Sequence, residues 1–322
     1  MSLKSIIANK NTYPYGTFEQ TFLEELEQNI PSNSSIITYN SKNIPEVFSN
    51  INTEMFNIFE ECFKILMKFE IIRYVPELTF MDFMDKSSDY FKSASFLSTN
   101  QDELVRKNLK FALGENDIRN IFTGFRKSDL ELFKEEYATV IRTCKHFTES
   151  NIELDKENLK LILPRLYFLY LLESVKQGDY LFFTYSDFLK TNELLENSLF
   201  IDTFYKNYLY FKENLDNLVT KSSKVILNPK MDYIETTVNS AKMDIIIDSC
   251  LYKISSFDYS KERDFTELLG LVALNNFNKK YSIDKVGNYL SFSGAYNQFS
   301  YDKDKLSYTY STIKSKLFLK YE

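Results

Sequence analysis

Tryptophan is absent from this chain, histidine occurs once, and glycine (7) and proline (6) are scarce for 322 residues. So few turn-forming residues disfavour a turn-rich all-β fold and leave long regular elements. Neither GxxxxGK[ST] nor GxGxxG occurs, so no nucleotide-binding loop of either kind is expected, and a serine nucleophile elbow is missing as well. The lone histidine, His146, has no second imidazole with which to share a metal. It reads as a helix-surface or hydrogen-bonded core residue rather than a catalytic base. Cys62, Cys144 and Cys250 lie far apart with no CxxC pair, which argues against a zinc knuckle and a disulfide framework. They read as isolated thiols, a Cys-His pair with His146 is disfavoured, and a reducing, cytoplasmic compartment is the expectation. The most apolar stretch, Leu161 to Val175, is interrupted by Pro164, Arg165 and Glu173, and Met1 to Lys10 has too short an apolar run for a signal sequence. No membrane span is expected.

What is present is apolar and aromatic. Residues of the apolar class make up 44%, enough to fill a core, and Phe and Tyr supply all of the 16% aromatic content. Abundant Lys, Asn, Ile, Phe and Tyr are what an AT-rich genome encodes, so the aromatic excess is a poor argument for base stacking. Residues Tyr13 to Thr220 follow helical periods almost throughout. Phe18, Phe22 and Leu26 step by four after Thr17, a capping residue; Ile51 to Phe69 recurs at three and four as one buried stripe; Leu130 to Cys144 repeats the pattern after Ser128. Leu161 to Leu172 is apolar enough for burial on several sides, and Phe188 to Leu218 suggests a last long helix with a break near Asn197 and Ser198.

At Lys221 the pattern changes. Lys224–Leu227, Asp232–Val238, Lys242–Asp248 and Leu251–Ser256 are short runs rich in Ile, Val, Thr and Tyr, separated by Asn-Pro or Asn-Ser turns, and read as strands. Arg263–Phe277 has a helical period and Lys285–Phe292 returns to strand alternation. The expected organisation is therefore α+β: a helical region over 1–220, which can pack as part of the same domain, and an α/β core over 221–322. Its order, β-β-β-α-β, is shared by many α/β nucleases. The net charge of −6 is carried by the helical part, while the C-terminal part is mildly basic. That balance disfavours non-specific DNA binding and favours a protein partner, with any basic patch read first as a solvated face.

Five blocks stand in order after this boundary: Val225-Ile-Leu-Asn-Pro229, Val238-Asn-Ser-Ala-Lys-Met-Asp-Ile-Ile-Ile-Asp248, Leu251-Tyr-Lys-Ile-Ser-Ser256, Thr266-Glu-Leu-Leu-Gly270 and Val286-Gly-Asn-Tyr-Leu290. In order and spacing they resemble the small stand-alone bacterial PD-(D/E)XK proteins, restriction-endonuclease-like and related to RecB-type and CRISPR-associated nucleases. Their pattern runs LNP, GGADADLI-I-D, LIDIKTT, QLxGY and IGIY. The resemblance implies a mixed sheet flanked by helices and, in active members, Mg²⁺ or Mn²⁺ held by an Asp on one strand and an Asp or Glu on the next. A lysine two residues on positions the attacking water.

Carried over by position, Asp244 fills the first acidic place, Lys253 stands in that of the second carboxylate, Ser255 in that of the lysine, Glu267 in that of the helix glutamine, and Lys242 replaces the first Asp of ADAD. An ammonium in place of a metal ligand disfavours a divalent cation by several kcal/mol at ~4 Å and an effective dielectric of ~20. The expectation is a degenerate site with no cofactor, in which Asp244 pairs with Lys242 or Lys253. The chain would then act by binding nucleic acid or a protein partner, in phage defence or counter-defence if it follows the family. One alternative is a Mg²⁺- or Mn²⁺-dependent nuclease with relocated ligands, Asp244 joined by Glu54, Glu60, Glu61, Glu262 or Glu267. For the three on the upstream helix an exposed amphipathic face is the plainer reading. The other alternative is a protein-binding assembly subunit.

Overall fold

The computed structural model describes residues 17, 20, 23–24, 26, 36–37, 53–84, 127–150, 152–177, 198–229, 243–255, 261–278, 280–290, 295–301, 304 and 306. The chain separates into a unit of residues 45–213 and a unit formed by 1–44 with 214–322. No described helix is long and apolar enough to cross a membrane.

The first unit is helical. It contains α1 (Thr53–Tyr74), α2 (Phe80–Phe83), α3 (Lys127–Glu149), α4 (Lys156–Gln177) and α5 (Ser198–Leu218) as far as Glu213. Helix starts follow capping chemistry. The Asp82 carboxylate accepts from the Thr79 amide at 2.7 Å ahead of α2, and Asp155 Oδ1 accepts from the Asn158 amide at 2.7 Å ahead of α4.

Helix α1 departs from the expected single stripe, since from Ile58 to Ile72 it is buried almost all round, including Lys64, Lys68 and Glu70. Its apolar residues occupy every side, and the charges among them are met by partners: Lys64 by Glu60 and Glu61, Glu70 by Arg73 and Lys212. Phe59 and Phe63 pack on Phe204 at 4.9 and 5.5 Å, and Phe69 packs on Phe83 at 4.9 Å. In α4, Ile162, Leu163, Leu166, Phe168, Leu169, Leu171 and Leu172 are buried as the sequence suggested, whereas Leu161 is 66% exposed. Residues 188–197 of the expected last helix lie outside the described residues.

The second unit is a six-stranded mixed sheet with order β1-β6-β5-β4-β3-β2. Its strands are β1 (Ile36–Ile37), β2 (Val225–Leu227), β3 (Ile245–Ile247), β4 (Cys250–Ser255), β5 (Lys285–Leu290) and β6 (Ala295–Ser300). Helix α6 (Lys261–Asn278) connects β4 to β5, the one parallel pair; every other neighbouring pair is antiparallel. The class is thus α+β. The expected strand Asp232–Val238 lies outside the described residues, and β6 and β1 were not anticipated.

A two-residue turn, Asp248-Ser249, closes the β3–β4 hairpin with both residues at positive φ, 47° and 63°. It is held from outside. Asp248 accepts from Ser223 Oγ at 2.7 Å and the Lys224 amide at 2.8 Å, while the Ser249 carbonyl accepts from the Asp284 amide at 2.8 Å. One core joins Ile246, Leu251, Val286 and Phe299 of the sheet to Leu268, Leu269 and Val272 of α6, with Leu23 and Leu26 from the N-terminal segment. Leu23, Glu24 and Leu26 are helical, and the Gln20 amide donates to Thr17 Oγ1 at 3.4 Å, the capping role expected of Thr17.

Candidate functional site

Alternation along β4 decides which residues meet α6. Leu251 belongs to the core beneath that helix, so Lys253 and Ser255, two and four residues on, share its face. The β3–β4 register pairs Ile245 with Tyr252, which places Asp244 one step beyond, opposite Lys253. On the other side, β5 aligns Asn288 with Lys253. Asp244, Lys253, Ser255 and Asn288 therefore share one face of three adjacent strands, the neighbourhood expected for Asp244, Lys253 and Ser255.

Their polar contacts run to the helix and to the backbone. Lys253 Nζ donates to Glu267 Oε2 of α6 at 2.6 Å, with side chains 17% and 9% exposed. β4 runs past the end of β3, and the Ile254 amide there donates to Asp244 Oδ2 at 2.8 Å. The Asp244 carboxylate thus closes a gap in the backbone ladder. Ser255 and Asn288 are buried. The sequence suggested Asp244 as the partner of Lys242 or Lys253; the 2.6 Å bond makes Glu267 a partner of Lys253, and Lys242 lies outside the described residues. Only the docking of α6 on the sheet could reveal that partner. Asn288 was missed as well; its signal was available, since period two from the core residue Val286 points it to the helix side.

The other named residues are accounted for separately. Glu60 and Glu61 lie 3.1 and 2.8 Å from Lys64 within the helical unit, and their side chains are partly buried and not on an open face. Lys242 and the side chains of Glu54 and Glu262 lie outside the described residues. His146 is exposed near the end of α3. Burial pushes the thiols of Cys62 and Cys144 up, and that of Cys250 up to about 12, so all three are protonated and inert near neutrality.

The oxygens of these residues do not fit the site of a divalent cation such as Mg²⁺. One Asp244 oxygen is held by a backbone amide, Glu267 is held by an ammonium, and that ammonium adds a positive charge on the same face. Among the described residues no three His, Cys, Asp or Glu side chains gather as a metal-binding group. No family model, curated protein or solved structure matches the chain. The likeness to PD-(D/E)XK proteins thus rests on the five sequence blocks.

Proposed function

We propose that this chain is a restriction-endonuclease-like protein without hydrolytic activity that acts by binding, with a protein as the favoured partner and nucleic acid as the second. The observation that carries the reading is the Lys253–Glu267 ion pair. Carried over by the sequence resemblance, the position of Lys253 is one where a nuclease of this type needs a negative ligand, and its ammonium lies 2.6 Å from a carboxylate and largely out of water. Support for the fold comes from the order β2-β3-β4-α6-β5, in which three antiparallel neighbours are followed by a helical crossover to a parallel strand. The preference for a protein comes from charge. A net charge of −6, carried by the helical part, disfavours non-specific phosphate-backbone binding.

Incubating the full chain with single- and double-stranded DNA and RNA, in Mg²⁺ and in Mn²⁺, tests the reading. No cleavage above the metal-only control is expected. Metal-dependent cleavage that disappears in Asp244→Ala would replace it with the alternative of relocated ligands.

A further inference from the structure

Helix α4 is buried unevenly. Ile162, Leu163 and Leu166 are enclosed, yet Leu161 is 66% exposed, the most exposed large apolar side chain among the described residues. Partly exposed Pro164, three residues on, enlarges the apolar surface there. Opposite charges flank Leu161 about one turn to either side: Glu157 stands four residues before it and Arg165 four residues after. We propose that this face of α4 is a self-association surface, on which a second copy of the chain packs about a two-fold axis through Leu161. The face lies in the helical unit, so such a dimer neither requires nor excludes a nuclease-like sheet.

Side chains four residues apart form the ridges that interdigitate in the commonest packing of two helices. The row of Glu157, Leu161 and Arg165 is its own complement in that packing. Two-fold symmetry sets the two rows antiparallel, so Leu161 meets Leu161, and Glu157 of each copy meets Arg165 of the other. Both charges have capacity for a new partner. Glu157 is 79% exposed and its contact with Lys160 at 2.8 Å is a surface pair of little worth. Arg165 Nη1 stands 3.6 Å from Glu136 Oε1, too long for a hydrogen bond, and Arg165 Nε has no hydrogen-bond partner. A guanidinium in that state has donors to offer an incoming carboxylate. One helix crossing is small for a protein interface, so the dimer is reversible and depends on concentration.

Sedimentation velocity of the full chain over a range of concentrations tests this. The wild type should pass from monomer to dimer as concentration rises. Leu161→Lys should stay monomeric with an unchanged circular-dichroism spectrum. Glu157→Arg and Arg165→Glu each set like charges against one another at both ends of the row, and each should weaken association at least about tenfold. Mixed in equal amounts, those two variants present arginines against glutamates and should form a heterodimer. A contact elsewhere on the molecule would not produce that complementation.

A wild type that is monomeric at every concentration would overturn the proposal and leave the face to a different protein or to water. So would a dimer that Leu161→Lys leaves intact, or two single variants that stay apart on mixing. Should Arg165→Glu not fold, because Glu136 is close by, Glu157→Arg and Leu161→Lys decide the matter. Both positions are exposed, and dimerisation of either variant as in the wild type rejects the contact.

Discussion

Glu70 and Glu267 are both carboxylates taken out of water with cations seated on them. Glu70 is fully buried and accepts from Arg73 Nη1 at 2.6 Å, Lys212 Nζ at 2.7 Å and Tyr208 Oη at 3.3 Å. Arg73 carries the network on to the Ile152 carbonyl at 2.5 Å and lies over the Phe147 ring at 4.8 Å. Removing the carboxylate leaves Arg73, mostly buried, without its counter-ion, so Glu70→Ala should cost about 3–5 kcal/mol in urea unfolding. Lys212, 42% exposed, regains water and adds little. A loss below ~1 kcal/mol would mean that solvent already screens the network.

The Cys250 thiol gives a pH dependence. Burial raises it from 9.0 to about 12, against smaller lowering effects from the Tyr252 hydrogen bond and Lys285. A raised pKa favours the folded state fully below pH 9.0, and the benefit fades as pH climbs towards 12. Melting temperature should therefore fall from pH 9 upward, and Cys250→Ala should flatten that fall in the first pH unit, before tyrosines titrate. Parallel profiles for wild type and variant would contradict the burial of this thiol.

At the scale of elements, the sheet depends on a turn whose second residue, Ser249, is not the glycine the geometry prefers. Asp248 and Ser249 both hold positive φ, where a side chain costs energy that glycine avoids. Ser249→Gly should raise stability by about 0.5–1 kcal/mol, whereas Asp248→Ala, which loses the bonds to Ser223 and Lys224, should lower it by about 1–2 kcal/mol. Chemical denaturation of both variants separates turn strain from tethering, and a destabilising Ser249→Gly would argue against the turn geometry.

The helical unit offers a contrast of the same kind. Phe63, buried against Phe204 and Phe211, should cost about 3–5 kcal/mol as Ala, while exposed Leu161→Lys should stay within about 0.5 kcal/mol of wild type. These elements differ in how far their sequences announced them. Lys285–Leu290 was readable as a strand, although four consecutive residues, Val286 to Tyr289, are buried and the burial does not alternate. Ala295–Ser300 was not: its aromatic residues Tyr296 and Phe299 stand three apart, with polar Asn297 and Gln298 between them. Ile36–Ile37 is a strand only because β6 lies beside it. The all-round burial of α1 was hidden by Lys64, Lys68 and Glu70, which look like a solvent face until their partners are known.

For the whole molecule, the proposed reading is of a nuclease-like sheet that has kept its backbone and exchanged its ligands. The neighbourhood of Asp244, Lys253 and Ser255 was legible from block order and strand alternation. The identity of Lys253's partner was not, since it depends on how α6 docks. If the backbone is intact, restoring the side chains should restore a metal site. Lys253→Asp and Ser255→Lys would rebuild the acid-x-lysine pair beside Asp244, and Lys242→Asp would remove a competing charge. Cleavage is the weaker readout, because substrate positioning also has to be right. The direct measurement is calorimetric titration of Mn²⁺ into the wild type and the folded triple variant. The account predicts no heat of binding in the wild type and saturable binding in the variant. Binding in neither would contradict it, and Lys242, Lys253 and Ser255 would then be ordinary strand residues with no inherited place in a metal site.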